Sequence, residues 1–278
     1  MTALSLEQRT QLDQAYQDYH KEIAEPPEFT KRIISVRDYG DGIVEVGYCT
    51  PSLKSAPTDD QVQERKNERD KMTPDEKEQV RKINLDRSIR RTRANVRRKC
   101  MAGGLDHLLT LTYRENITDL ASGWKDFARF VRKVRKRYPD WKYCAVHEFQ
   151  KRGAVHFHVA VKGFQDVRFL RSTWLSVVGQ GNIDVKAPRS HGSKKWGLVA
   201  LAGYLVKYIS KGIEMVSVRF SKQRYRVSEG IEIPKKTIIL EFPLGYDFIS
   251  EVFDSLGVSK GFHFKADKDV HGWACSWT

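Results

Sequence analysis

Two histidines separated by a single residue, His156 and His158, have the spacing in this sequence that points most directly to chemistry. They lie in a β-rich run, Val155–Val161, and alternate residues of a strand project from the same face. Two imidazoles side by side on a rigid strand provide half of a divalent-metal site. Because paired histidines also occur as ordinary surface or core residues, this interpretation requires a third ligand from a neighbouring strand.

The third ligand is predicted to come from the strand that precedes the histidines, where His147 and Glu148 are the two candidates. A two-residue turn between the strands would bring His147 into the site, whereas a three-residue turn would place Glu148 directly opposite His156. Gly153 ends such a three-residue turn, where a left-handed residue is common, so the sequence favours Glu148. A carboxylate with two imidazoles suits Mn²⁺ or Mg²⁺ and leaves coordination positions open for a phosphate oxygen.

Two tyrosines four residues apart, Tyr204 and Tyr208, fall on one face of a helix predicted over 196–211. Lys207 and Lys211 each follow a tyrosine by three residues, on nearly the same face. A phenol becomes a covalent nucleophile when nearby cations favour its ionised form. An isolated pair of this kind more often only lines a core, so the metal candidates are what favour catalysis. The sequence does not rank the two tyrosines.

Periodicity and turn chemistry predict an α+β fold in which an antiparallel sheet positions these residues. Strands are predicted over 107–113, 142–150, 154–162 and 181–186, and helices over 5–25, 119–138, 166–178 and 196–211. The runs 33–36 and 43–48 predict an N-terminal hairpin. We divide the chain into an N-terminal extension with this hairpin and basic helices (1–100), a site-bearing domain (101–215), and a β-rich tail (216–278) that packs on or completes that domain.

The formal charge of +14 favours a polyanionic partner over a merely soluble basic protein. The surplus is concentrated in a segment predicted to be helical, 81–99, in which Asp86 is the one acid. Like charges at helical spacing repel each other, and a phosphate backbone would relieve that repulsion. We therefore predict that this helix and the basic loop 189–195 contact DNA. Five aromatic residues are candidates either for base stacking or for the core: Trp141, Trp174, Trp196, Phe220 and Tyr225.

Other features of the sequence narrow the class of protein. The four cysteines are far apart and form no C-x-x-C pair, which argues against a zinc ribbon or a disulfide scaffold. No apolar stretch approaches the roughly 20 residues of a membrane span, and no signal-peptide core begins the chain, so a cytoplasmic protein without a membrane partner is expected. No G-x-x-x-x-G-K-[ST] pattern occurs, so no fused P-loop helicase is expected.

Three blocks occur in a fixed order: Leu108–Tyr113, Glu148–His158 and Tyr204–Lys211. Together they resemble the motifs of the His-hydrophobe-His (HUH) endonucleases. Within that superfamily they are most similar to the rolling-circle replication initiators of single-stranded DNA phages and plasmids. Initiators carry their tyrosines after the histidines, as this sequence does, whereas conjugative relaxases carry them before.

The resemblance implies an enzyme that nicks single-stranded origin DNA, holds the 5′ end on a tyrosine, leaves a 3′-OH primer and later rejoins the ends. Glu148, His156 and His158 would bind Mg²⁺ or Mn²⁺, while Tyr204 and Tyr208 would alternate as nucleophiles. The HUH or palm-like fold would be a central antiparallel sheet with helices packed on one side and the tyrosines across the sheet from the metal. Host helicase and polymerase would be partners in a bacterial cytoplasm.

Two other functions fit the same residues. A transposase with the same chemistry predicts strand transfer between two transposon ends rather than activity at an origin. A non-catalytic protein that binds single-stranded nucleic acid on a related sheet predicts no covalent product, and therefore no effect of Tyr204→Phe or Tyr208→Phe on DNA.

Overall fold

The computed structural model describes residues 29–49, 58–186, 194–214, 224–243, 254–255, 261–266 and 271–276, some of them as backbone alone. The helix predicted over 5–25 and most of the basic loop 189–195 lie outside this part of the chain. In chain order the elements are β1 Phe29–Asp38, β2 Val44–Cys49, α1 Asp59–Lys71, α2 Pro74–Ala102, β3 His107–Tyr113, α3 Leu120–Arg137, β4 Tyr143–Phe149, β5 Val155–Val161, α4 Val167–Val178, β6 Gly181–Lys186, α5 Lys194–Glu214, β7 Tyr225–Val227, β8 Lys236–Pro243, β9 Gly261–Ala266 and β10 His271–Ser276. The predicted α+β class is confirmed.

The chain divides into two compact units, one made of residues 1–57 with 234–278 and the other of residues 58–233. This grouping differs from the sequence-based segments 1–100, 101–215 and 216–278, because it joins the two ends of the chain and places α2 with the central strands. As a division into functional domains, the sequence-based one stays a prediction.

The first unit contains a five-stranded sheet in the order β8-β1-β2-β10-β9. The predicted N-terminal hairpin is confirmed, since β1 and β2 pair antiparallel around a turn in which Asp41 has a φ of 50°. Inside it, Arg37 and Glu45 form a buried ion pair at 3.4 Å. The C-terminal strands extend this hairpin on both sides, because β8 pairs with β1 and β10 pairs with β2.

The second unit contains a five-stranded antiparallel sheet in the order β6-β3-β5-β4-β7. One face carries the main hydrophobic core, onto which α3 and α4 pack. The apolar stripe of α3 predicted from its periodicity is buried as expected, with Trp124 against Phe157 and Phe127 against Phe130. Tyr138, predicted on the same stripe, instead caps the helix and is 37 % exposed.

Helices cover both faces of this sheet, which corrects the expectation of helices on one side only. Residues of α5 pack on β4 and β5 from the face opposite to α3, and α2 packs on α5. The apolar stripe of α5 is buried there, with Leu205 fully buried and Ile209 4 % exposed. None of the described helices is long and apolar enough to cross a membrane.

Candidate active site

The two histidines lie on β5, the central strand of the second sheet, with their side chains buried. His158 is opposite Thr110 of β3, and His156 is opposite Glu148 of β4. Opposed residues of antiparallel strands project from the same face, so both imidazoles and the carboxylate share one face. The alternate residues of β5, such as Phe157, project into the α3 core instead.

The turn between β4 and β5 sets this register. Gln150 N–H donates to Ala154 O at 2.9 Å, which leaves residues 151–153 as the turn, and Gly153 has a φ of +84°. The three-residue turn and its left-handed glycine are therefore confirmed, as is the placement of Glu148 opposite His156. His147 projects from the other face, where its ring lies against Trp124 at 5.9 Å between centroids.

An acid–imidazole contact lies at the centre of the shared face. The Nε2 atom of His158 is 2.9 Å from Oε2 of Glu148, and its Nδ1 atom is 3.4 Å from Oγ1 of Thr110. Burial, reinforced by repulsion from His158 and Arg152, lowers the pKa of His156 to about 4, and Glu148 opposes this shift only in part. His156 is therefore neutral at physiological pH, which is the form in which imidazole binds metals.

Glu148, His156 and His158 fit a divalent cation by their chemistry and backbone register, since two imidazole nitrogens and a carboxylate oxygen face one side of adjacent strands. Among the residues that the structure describes, no group of three or more His, Cys, Asp or Glu side chains is arranged as a metal site. The described side chains instead pair Glu148 directly with His158. The metal and its ligands thus stay predictions.

The tyrosines of α5 lie on the same face of the sheet as the histidines, not across the sheet from them as expected. The ring of Tyr208 stacks on the imidazole of His158, with centroids 3.5 Å apart and planes 15° from parallel. Tyr208 is 8 % exposed, whereas Tyr204, one turn earlier on the helix, is 38 % exposed. The helix thus brings a tyrosine against the imidazole–carboxylate pair and presents the other tyrosine to solvent.

A hydrogen bond joins the two phenols, with the Tyr208 hydroxyl donating to the Tyr204 oxygen at 2.5 Å. Burial, this hydrogen bond and the negative charge of Glu148 raise the pKa of Tyr208. Tyr208 therefore keeps its proton, and the hydrogen bond that it donates favours negative charge on the Tyr204 oxygen.

Of the two predicted lysines, Lys207 is exposed, with its Nζ atom 5.9 Å from the centroid of the Tyr204 ring. An ammonium at this distance also favours the ionised phenol. The side chain of Lys211 lies outside the described residues, so its role stays a prediction.

The basic helix predicted over 81–99 forms the second half of α2. At 100° per residue, Arg87, Arg91 and Arg98 lie on the side opposite to the buried Val96. Since α2 packs on α5, this arginine row runs along the element next to the tyrosine helix. A phosphate backbone is the partner that such a row fits.

Three features of the site were not found from the sequence. The stacking of Tyr208 on His158 depends on which sheet face α5 covers, and periodicity alone does not reveal this. Arg152 ties the β4–β5 turn to the end of β3, donating to the carbonyl of Tyr113 at 2.9 Å. Finally, Trp174 and Trp141, considered for base stacking, are 0 % and 7 % exposed and belong to the core.

Residues 106–213 match the family model of the replication-associated protein ORF2. The matched segment runs from the start of β3 to near the end of α5 and so contains the histidines, Glu148 and both tyrosines. The match supports a role in the initiation of DNA replication. No curated protein and no solved structure gives a match.

Proposed function

We propose that this chain is a rolling-circle replication initiator of the HUH type, which nicks single-stranded origin DNA with a divalent metal and forms a 5′-phosphotyrosine. The observation that carries the proposal is the stacking of Tyr208 on His158, which is itself paired with Glu148. A merely structural helix would have no reason to place a hydrogen-bonded tyrosine pair against a buried acid–imidazole pair. The replication-associated family match over the same segment supports this interpretation.

In the proposed first cleavage, Tyr204 is the nucleophile, because its oxygen is exposed and accepts the hydrogen bond from Tyr208. The Tyr204 oxygen bonds to phosphorus as its proton passes to solvent. The bond between phosphorus and the 3′ oxygen breaks, and that oxygen takes up a proton to become the 3′-OH. The phosphoryl group stays on the DNA 5′ end, linked to the tyrosine, which conserves the energy for rejoining.

The other residues position charge in this scheme. Glu148, His156 and His158 would hold the cation, which when bound supplies polarisation of the scissile phosphate. Lys207, beside the Tyr204 ring, favours the phenolate and meets the phosphate as it arrives. Tyr208 holds its proton toward Tyr204 in the first step and serves as the second nucleophile when the ends are rejoined.

Covalent capture of DNA tests the proposal. The full chain is incubated with Mn²⁺ and a 3′-labelled pool of single-stranded oligonucleotides, and the products are separated on a denaturing gel. We expect a labelled protein band that requires the metal and is lost when Tyr204 and Tyr208 are both changed to phenylalanine. Tyr138→Phe is the matched control, because this tyrosine is 37 % exposed and lies on another surface. Absence of the band with Mn²⁺ and with Mg²⁺ would contradict the proposal and favour a non-catalytic binding protein.

Strand transfer separates an initiator from a transposase with the same chemistry. An initiator rejoins the captured 5′ end to the 3′-OH of the strand that it cut and releases a circle from a circular single-stranded substrate. A transposase joins the captured end to an unrelated strand. We expect circles as the main product of the rejoining step.

A further inference from the structure

Phe164 is the most exposed large apolar residue in the described part of the chain, with 90 % of its surface open to solvent. It lies in the short loop between β5 and α4, six residues beyond His158. Nearly complete exposure of a phenyl ring is unfavourable in water, so its position needs a cause other than stability.

The loop around Phe164 is held rigidly. The buried Gln165 side chain donates to the carbonyls of Lys162 and Gly163 at 3.0 and 3.1 Å, and its Oε1 atom accepts from Trp141 Nε1 at 2.9 Å. Gly163, at a φ of +69°, donates its N–H to Asp106 Oδ1 at 2.6 Å. A buried, fully used amide side chain therefore fixes the loop that presents the exposed ring.

The surroundings of this loop are basic. Residues 132–142, which end α3 and lead into β4, carry six basic residues and one acid. Arg137 of this segment pairs with Asp166 at 3.3 Å and lies over the Phe169 ring at 4.6 Å, so the segment is next to the loop. Lys162, two residues before Phe164, is exposed.

We propose that Phe164 is a stacking platform for a base of single-stranded DNA that is also held at the tyrosine site. An exposed ring beside fixed cations is the arrangement with which proteins hold single strands without reading sequence. At the rise of a β-strand, the six residues from His158 correspond to about 20 Å. This is a separation that a short stretch of single strand can span. The inference rests on the proposed function only for the identity of the nucleic acid.

Binding without chemistry tests this platform. The full chain is titrated into fluorescein-labelled oligothymidylate in EDTA, and the dissociation constant is measured by anisotropy at several salt concentrations. For Phe164→Ala we expect an increase in Kd of about five- to a hundredfold with an unchanged salt slope, because stacking releases no counterions. Phe164→Trp should bind like the natural chain, whereas Phe164→Leu should bind like Phe164→Ala.

Two comparisons make the result specific to base stacking. An oligomer of abasic deoxyribose phosphate should bind equally to the natural chain and to Phe164→Ala. Leu175→Ala, which removes a 37 % exposed apolar side chain from α4, should leave Kd for oligothymidylate unchanged. Equal affinity of Phe164→Ala and the natural chain for oligothymidylate would overturn the platform and favour a protein partner for this ring. Because the binding assay contains no metal, loss of the platform is distinguishable from absence of a covalent product.

Discussion

Tyr204 and Tyr208 are equivalent in sequence spacing but lie in different surroundings. Tyr208 is buried, stacked on His158 and a hydrogen-bond donor, whereas Tyr204 is exposed and a hydrogen-bond acceptor. The spacing predicted that both would lie on one helix face but provided no basis for ranking them. Their burial and the direction of one hydrogen bond supply a ranking in which Tyr204 reacts first.

Tyr208→Phe tests that ranking at the first cleavage. Phenylalanine keeps the ring that stacks on His158 but removes the hydroxyl that donates to Tyr204. A hydrogen bond to a developing charge contributes about 1.5–3 kcal/mol, so we expect the rate of adduct formation to fall about ten- to a hundredfold. Single-turnover measurement with labelled single-stranded DNA gives this rate. An unchanged rate, with unimpaired rejoining, would contradict both the hydrogen-bond role and the alternation of the two tyrosines.

Asp106 gives a pH-dependent prediction at the opposite end of β5. Burial raises the pKa of its carboxyl, but hydrogen bonds from His107 and the Gly163 N–H, with the charge of His107, outweigh burial and lower the pKa overall. A lowered pKa in the folded state means that the ionised carboxylate stabilises the fold at neutral pH. This contribution is lost as the pH falls through the folded pKa, below the usual value of 3.8.

Asp106→Asn should therefore unfold more easily than the natural chain at neutral pH, by about 1 kcal/mol for the weakened hydrogen bonds. The difference between the two proteins should shrink as the pH falls below 3.8, because the natural carboxyl then becomes protonated too. Urea unfolding at a series of pH values measures both effects. A difference that stays constant down to the lowest pH would show that the carboxylate charge does not contribute.

Among the elements, those from β3 to β6 match the sequence-based predictions to within about a residue or two. Their signals are local: Asp119 caps α3, Asp166 caps α4, and alternating or continuous apolar runs mark the strands. The register of β4 on β5 was also predictable, because Gly153 specifies the turn. The face covered by α5 was not, since its apolar stripe shows that the helix is buried but not against which side of a sheet.

The basic half of α2 yields a prediction about electrostatic binding. Changing both Arg87 and Arg91 to glutamine should weaken binding to oligothymidylate and reduce its salt slope by about 0.7 for each phosphate that is no longer neutralised. The matched control is the double change of Arg65 and Arg69 to glutamine in α1, a mixed-charge helix without buried residues. We expect this control to leave the slope unchanged, as measured by anisotropy over a range of salt. Equal slopes for both double variants and the natural chain would exclude the α2 row as a DNA contact.

At the scale of the whole molecule, long-range pairing is the part that the sequence did not reveal. The N-terminal hairpin was predicted, but its extension by β8 and β10 joins residues roughly 200 positions apart and leaves no local signal. The three-residue strand β7, added to β4, is too short for its periodicity to be read. The net charge of +14, by contrast, needs no structure to predict a polyanionic partner.

The central claim is that a tyrosine of this chain captures a DNA 5′ end, and Tyr204 is its predicted position. The direct measurement is peptide mass mapping of the natural chain after reaction with Mn²⁺ and single-stranded DNA under denaturing quench, followed by nuclease trimming of the bound strand. We predict a nucleotide attached through phosphate to the peptide that contains Tyr204, and its absence from the peptide that contains Tyr138. Absence of any nucleotide-bearing tyrosine peptide, or attachment only outside the Tyr204–Tyr208 pair, would contradict the account.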